Sequence, residues 1–426
     1  MARPMFACGV AAFLSVSPVA LFGVARAEEG TAPSSPSSSA ARSLSLEEAL
    51  RLAKEQSPEL RLSRGAVREA RARRIGVGKI LSNPRIAGDV RPPVTGGTLH
   101  DLGYSANVEL PFDLGGAPGA RVREADRGTQ VAESELRLDE RRVRSEVWSA
   151  YVRAQAATLR ISETHAMVSI AERIVAAARE RSLRGASGDI DLGMATGELA
   201  ELHALEEAST RQRNEHVDRL RDLLDLSPTQ EITLTSALGD PAPAEAEDAL
   251  VKRAMNARPE FARIRARIEL LEATRDRLSR ETFPRIGLYA GVDAAPVSPI
   301  FGLVGLSMEL PIIQRQAGPR AVVAESRAIE EERLLLQARQ VARDVSAARR
   351  LYESRRAEFR ILTDGALPAA VRTLELVEIG WLAGRFDIFR MTSAARDAAR
   401  LRTVRLDALE ATWLAHVDLD RNVGGQ

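Results

Sequence analysis

The sequence has a single cysteine, Cys8, and it lies in the apolar N-terminal segment. A disulfide framework and a cysteine-based metal site are therefore excluded from the rest of the chain. Cys8 also precedes most of that apolar segment, which argues against a lipid-anchoring cysteine. No phosphate-binding Gly-Lys-Ser loop occurs, and the five histidines are not spaced to share a metal ion on one helix face. The sequence predicts no enzyme, no cofactor and no metal site.

The sequence also lacks a surplus of either charge. It contains 60 basic and 59 acidic residues, and all but three of the bases are arginine. This balance gives no electrostatic footprint for a nucleic acid, so we expect no nucleic-acid partner. The alternation of arginine with glutamate and aspartate is typical of solvated helix faces with ion pairs one turn apart.

Long apolar runs are missing after the N-terminus. Residues 1–27 are predicted to be a cleavable signal peptide, because an apolar run from Phe6 to Val24 follows Arg3 and ends at Ala25-Arg26-Ala27. The alternative is a membrane anchor. Residues 28–43, rich in proline and serine, are predicted to form a disordered leader. No later stretch reaches the roughly twenty apolar residues of a membrane helix, so any crossing must be made by strands.

The chain contains an internal repeat. The segment from Pro84 to Pro111 reappears two hundred residues later as the segment from Pro284 to Pro311, and both begin Pro-Arg-Ile and end Glu-Leu-Pro. This pattern predicts a tandem repeat, with one copy over 44–240 and the other over 241–426.

Four short stretches alternate between apolar and polar residues and are predicted to be strands: about 84–92, 103–112, 284–294 and 301–312. Two of them per copy give four strands per chain, too few to close a barrel in lipid. Two chains would supply eight strands, and three would supply twelve with room for a lumen. We expect Glu109 and Glu309, on the polar faces, to point into that barrel. The alternative is a hairpin that packs on a soluble core.

The remaining sequence has helical periodicity, so the predicted fold is mainly α with a small β part. One glycine-rich interruption per copy, at about 183–191 and 381–388, is predicted to be a helical hairpin tip. In the first copy, helices over 58–82 and 190–226 together match the length of a helix over 119–183. In the second, 259–283 and 386–420 match 319–380. We therefore expect the shorter helices to stack end to end against the long ones.

The ordered set of features resembles the TolC-like outer-membrane efflux channels over essentially the whole chain after the signal peptide. The repeat, the Pro84 and Pro284 strand entries, the two Glu-Leu-Pro exits and the glycine-then-aspartate tips carry this resemblance. Asn83-Pro84 and the segment from Pro111 to Gly116 look most like the heavy-metal (cobalt-zinc-cadmium type) branch.

The resemblance implies a homotrimer with a twelve-stranded barrel in outer-membrane lipid and an α-helical tunnel, or α-barrel, across the periplasm. It also implies docking on an inner-membrane pump through a periplasmic adaptor (membrane fusion protein), without catalysis. The cargo, metal ions or drugs and other small molecules, stays open. The rival hypothesis is a periplasmic coiled-coil adaptor or scaffold that does not cross the membrane.

The resemblance further implies an aperture at the helix tips, with several candidate residues. Aspartates after the tip glycines would line it and an arginine bridge would latch it, while an aromatic residue precedes the second tip. The aspartates could instead be simple N-caps of the returning helices. Ser182 replaces the aromatic in the first copy, which argues against a symmetric latch. The candidates are Asp189, Asp191, Asp387, Arg184, Arg385 and Trp381, with Gly185, Gly188 and Gly384 as tip turns.

Overall fold

The structure is a computed structural model that describes residues 42–92, 102–113, 115–184, 189–294, 299–310 and 315–425. The predicted signal peptide, nearly all of the predicted leader, and the tip glycines Gly185 and Gly188 lie outside the described residues. Within those ranges, no helix is long and apolar enough to span a bilayer.

The described chain is mainly helical with a small sheet part, as the sequence predicts, and its two halves have nearly the same order of elements. The first half contains β1 (Arg42–Leu44), α1 (Leu46–Gln56), α2 (Pro58–Ala72), β2 (Arg85–Arg91), β3 (Gly103–Phe112), α3 (Ala117–Leu183), α4 (Asp189–Leu224) and β4 (Ile232–Leu234). The second half contains α5 (Glu247–Ala257), α6 (Pro259–Arg280), β5 (Arg285–Ala294), β6 (Phe301–Glu309), α7 (Ala317–Ile361), a π-helical turn (Leu362–Ala366), α8 (Leu367–Leu382) and α9 (Ile388–Val423).

Four strands form one antiparallel sheet in the order β2-β3-β5-β6. Each strand falls within a range that the alternating pattern predicts. The pairing of β3 with β5, in which Asn107 lies opposite Gly291, joins the hairpin of the first half to that of the second. The outer strands β2 and β6 each leave one edge without a partner in the described chain.

In the two central strands of this sheet, β3 and β5, the face that carries the apolar side chains is the more exposed one. In β3, Tyr104, Val108 and Leu110 are exposed, whereas Asn107 and Glu109 between them are half-buried. In β6 the exposed fractions are 80% for Val304 and 74% for Leu306. A hairpin that packs on a soluble core would bury these side chains, so the soluble-hairpin alternative is wrong.

The long helices organise the rest of the chain. Helix α3 has 67 residues and is therefore about 100 Å long at 1.5 Å per residue. Helices α2 and α4 pack against α3. Helices α6 and α9 contact both α3 and α7. Leu60 from the start of α2 and Leu220 from the end of α4 share one core with Tyr151 of α3. This core lies where the two shorter helices meet, as the end-to-end arrangement requires.

Two predicted helices have different bounds. Helix α2 ends at Ala72, ten residues before the predicted end at 82, because Gly76 adopts a left-handed conformation with φ of 84°. The predicted helix over 319–380 is interrupted by the π-helical turn before α8. Pro368 at the start of α8 lacks the N–H that a continuous α-helix would donate, so the ladder of hydrogen bonds changes there.

A short parallel pair, β1 with β4, is absent from the sequence-based prediction. Its first strand begins at Arg42, so the predicted disordered leader over 28–43 is two residues too long. The hydroxyl of Tyr151 donates to the Leu44 carbonyl at 2.9 Å and accepts from the Ser236 N–H at 3.0 Å. The hydroxyl of Tyr352, at the matching position of α7, donates to the Ala242 carbonyl. Burial raises the pKa of Tyr352 to about 12, so this hydroxyl remains a donor at neutral pH.

Candidate functional site

The second helix tip is a tight turn between α8 and α9. Gly384 has φ of 73°, the left-handed conformation that favours glycine, so it forms the predicted tip turn. Asp387 is the N-cap of α9, and its carboxylate accepts a hydrogen bond from the Arg390 N–H at 2.8 Å. Within a single chain, Asp387 therefore acts as the N-cap of α9.

Trp381 is buried at this tip, with 3% of its surface exposed. It belongs to a core that also contains Ile174 of α3 and Met391 of α9. Arg181 of α3 donates to the Trp381 carbonyl at 2.7 Å, and its guanidinium carbon lies 5.3 Å from the centroid of the indole ring. Trp381 thus fastens the second tip to the long helix of the first half.

Two further residues shape the second tip and were missed from the sequence. The ring of Phe386 lies where a Cβ on Gly380 would stand, so only glycine lets the chain close there. The Arg390 guanidinium carbon is 4.9 Å from the centroid of the same ring. The spacing of Gly380 and Phe386 around the tip glycine is the signal that points to this packing.

The first tip is described only in part. Asp189 and Asp191 lie in the first turn of α4, where the helix dipole favours negative charge. Arg184 pairs with Glu180 of its own helix. Among the described residues, neither aspartate has an ion-pair partner, and Arg385 has none either. The described residues therefore form no arginine latch within one chain, and a latch between copies stays a prediction.

The strand bases bring together the other predicted residues. Glu109 accepts a hydrogen bond from the Ser307 hydroxyl, and Arg85 lies opposite it with a nitrogen-to-oxygen distance of 4.0 Å. Glu309 lies opposite Arg285, the matching position of the second hairpin. Both glutamates line a cavity of about 320 Å³ at the bases of the strands.

A buried carboxylate joins these strand bases to the helices and was not predicted. Asp113, at the end of β3, is 6% exposed. One of its oxygens accepts a hydrogen bond from Arg121 of α3 at 2.6 Å, and the other forms an ion pair with Arg285 of β5, 3.0 Å from its Nε. Arg121 also contacts Glu281, at the end of α6, at 3.3 Å. In the described part of the chain, no group of three histidine, aspartate or glutamate side chains could hold a metal ion.

One segment of the chain matches the model of a known protein family. The family model described as "Outer membrane efflux protein" matches residues 49–225. This segment of the chain is similar to that family. The matched segment runs from α1 through both strands of the first hairpin to the end of α4, so it contains the first tip and the base of β3.

Three known proteins extend the likeness beyond this segment. The cobalt-zinc-cadmium resistance protein CzcC of Cupriavidus metallidurans is 24% identical over 442 residues, which cover 100% of both chains. The outer-membrane channel OprN has a TM-score of 0.74 at 17% identity and covers 89% of this chain and 90% of its own. The outer membrane protein VceC of Vibrio cholerae has a TM-score of 0.69 at 15% identity, with 89% and 96% covered. These two structures share the fold.

Proposed function

We propose that this chain is the outer-membrane channel component of a tripartite efflux system. Three copies form a passive exit duct for substrates that an inner-membrane pump delivers through a periplasmic adaptor. The observation that carries this proposal is the orientation of the central strands β3 and β5, whose apolar side chains are more exposed than the residues that alternate with them. Such a sheet suits lipid outside and water inside.

The unpaired edges of the sheet call for further copies of the chain. In lipid every backbone N–H and C=O must find a partner, so the free edges of β2 and β6 cannot face the bilayer. The repeat supplies the way to close them, because β6 corresponds to β3 and β2 corresponds to β5. We infer that β6 of one copy pairs with β2 of the next as β3 pairs with β5. Three copies then give twelve strands with a lumen lined by Glu109 and Glu309.

The register of the contact between copies follows from the repeat and can be tested by cross-linking. Val108 of β3 lies opposite Ala290 of β5, and the matching residues two hundred positions away are Met308 and Val90. The double variant Val90→Cys with Met308→Cys is expected to yield covalent trimers on oxidation, seen by denaturing electrophoresis. Each single variant should give monomers only.

The mismatched pair Ile86→Cys with Met308→Cys is the control. Its cysteines would be four residues, about 13 Å, out of register along the strand and should not join. A chain that stays monomeric and needs no detergent after oxidation of the matched pair would refute the assembly and favour the adaptor or scaffold hypothesis.

The aperture is the second testable part of the proposal. In a threefold assembly, Asp191 and Asp387 form rings of like charge that repel each other unless a cation of a neighbouring copy holds them. Replacing both with asparagine is expected to raise the single-channel conductance in a planar bilayer, because the charge that holds the latch is lost. Asparagine caps a helix as well as aspartate does, so α9 should keep its stability.

The matched alanine variant separates latch from cap. Asp387→Ala removes the capping hydrogen bond to Arg390 and is expected to cost about 1 kcal/mol of stability. If the asparagine pair leaves conductance at its original value, the latch does not exist, whatever the alanine variant does to the melting temperature.

A further inference from the structure

A cavity of about 530 Å³ lies in the seam between the two halves of the chain, among α1, the start of α2, α3, the start of α6 and the residues that follow α9. We call it the seam cavity. Its apolar wall includes the buried side chains of Ala53, Leu60 and Val143, together with Pro259. A space of this volume is in the range of small-molecule sites, about 300–1,000 Å³.

The charged lining of the seam cavity has one acid, Glu140, and five bases: Arg51, Lys54, Arg137, Arg141 and Arg144. Some of the bases have counter-ions outside the lining. Arg141 pairs with Glu260, and Arg144 lies 3.8 Å from an oxygen of Asp420. In the described ranges, Lys54 and Arg137 have no carboxylate within 4.0 Å. The cavity therefore has a surplus of positive charge.

Two donors in this lining are buried without an acceptor among the described residues. They are Nη1 of Arg141 and Nε of Arg144. A buried N–H of a charged group that lacks a partner costs free energy, and an anionic oxygen is the acceptor that recovers most of it. Both arginines line the same cavity.

The second half of the chain provides an internal control. Matching positions of the two halves are 201 residues apart at the proline break and at the buried tyrosines, and 200 residues apart in the strands. Lys54 corresponds to Met255 or Ala254. The three α3 arginines correspond at the two offsets to Gln337, Val341 and Asp344, or to Ala338, Ala342 and Val345. Only Arg51 has a basic counterpart, Lys252. The fold of this seam therefore does not itself require the bases.

We propose that the seam cavity binds a small amphipathic anion, a carboxylate or phosphate group on an apolar stem. The head group accepts hydrogen bonds from Arg141 and Arg144, with Lys54 and Arg137 adding charge. The stem lies against Leu60 and Val143. This site is separate from the helix tips and the strand bases, and it adds a ligand to a chain whose proposed function is only to conduct.

Trp148 supplies a reporter for the test, because the Arg144 guanidinium carbon lies 5.8 Å from the centroid of its ring. The full chain in lipid nanodiscs is titrated with octyl phosphate, octanoate, octanol and inorganic phosphate while tryptophan fluorescence is followed. The test variant, Lys54→Met with Arg137→Ala, introduces the residues that the second half has at the positions 201 residues away, Met255 and Ala338. Arg211→Gln, an exposed base of α4, is the control.

We expect a saturable change with octyl phosphate or octanoate that is at least tenfold weaker in the test variant and unchanged in the control. The tighter of the two compounds identifies the head group. An equal affinity in the test variant, an equal response to octanol, tighter binding of inorganic phosphate alone, or the absence of a saturable change would overturn the proposal. Conductance of the same preparations reports on the channel separately, so failure of one proposal does not imply failure of the other.

Discussion

Replacing Gly291 with alanine is expected to prevent the outer-membrane form of the protein from assembling. Gly291 lies in β5 opposite Asn107, in the middle of the ladder that joins the two hairpins. A Cβ at this position would overlap the backbone carbonyl oxygen of Ala106 and lie 2.8 Å from the Cα of Asn107. Backbone cannot move aside as a flexible side chain can, so the overlap must break the pairing of β3 with β5. We expect a cost at or above the upper end of the overpacking range, about 3 kcal/mol.

The sheet contains a matched control for this substitution. Gly302 in β6 has no atom within 4 Å of the place where a Cβ would stand. The variant Gly302→Ala should therefore accumulate in outer-membrane fractions as the unchanged chain does, while Gly291→Ala should be degraded or remain in the periplasm. Equal amounts of both variants in detergent extracts of the outer membrane would mean that β3 and β5 are not paired in this register.

The sequence predicts the parts of the fold that depend on local periodicity. An alternating pattern over ten residues predicts β3, and Pro58 and Pro259 predict the starts of α2 and α6. These predictions succeed because each signal lies within the element that it predicts. The pairing of β3 with β5 is different. Its partners are separated by about 180 residues of sequence, and no local pattern states which hairpin edges meet.

Two differences between the predicted and the observed elements have local causes. Strands β1 and β4 have three residues each, too few for an alternating pattern. Helix α2 ends early because Gly76 takes up a left-handed conformation, although the helical period of the sequence continues.

At the candidate site, the cap of Asp387 follows from its position after a tip glycine. The burial of Trp381 does not follow in this way, because Arg181 and Ile174, which cover it, come from a helix in the other half. Asp113 was missed for the same reason, since one of its arginines, Arg285, lies far away in sequence.

Asp113 holds three elements together at one point. It ends β3, and its arginine partners stand at the start of α3 and at the start of β5. A carboxylate that is almost fully buried is stable there only because both guanidiniums neutralise it. Removing it leaves Arg121 with a single counter-ion, Glu281, and leaves Arg285 opposite the exposed Glu309.

The variant Asp113→Leu is therefore expected to lose about 3–5 kcal/mol, the cost of leaving one side of a buried ion pair without its partner. The loss should appear as a lower melting temperature of the protein and as faster proteolysis at the joint between strands and helices. Asp276→Asn breaks exposed ion pairs with Arg123 and Arg280 near the same joint and should change stability by less than about 1 kcal/mol. If both variants have the same melting temperature as the unchanged protein, the joint is held together by the packing of its helices. The ion pairs between Asp113 and its arginines would then not stabilise it.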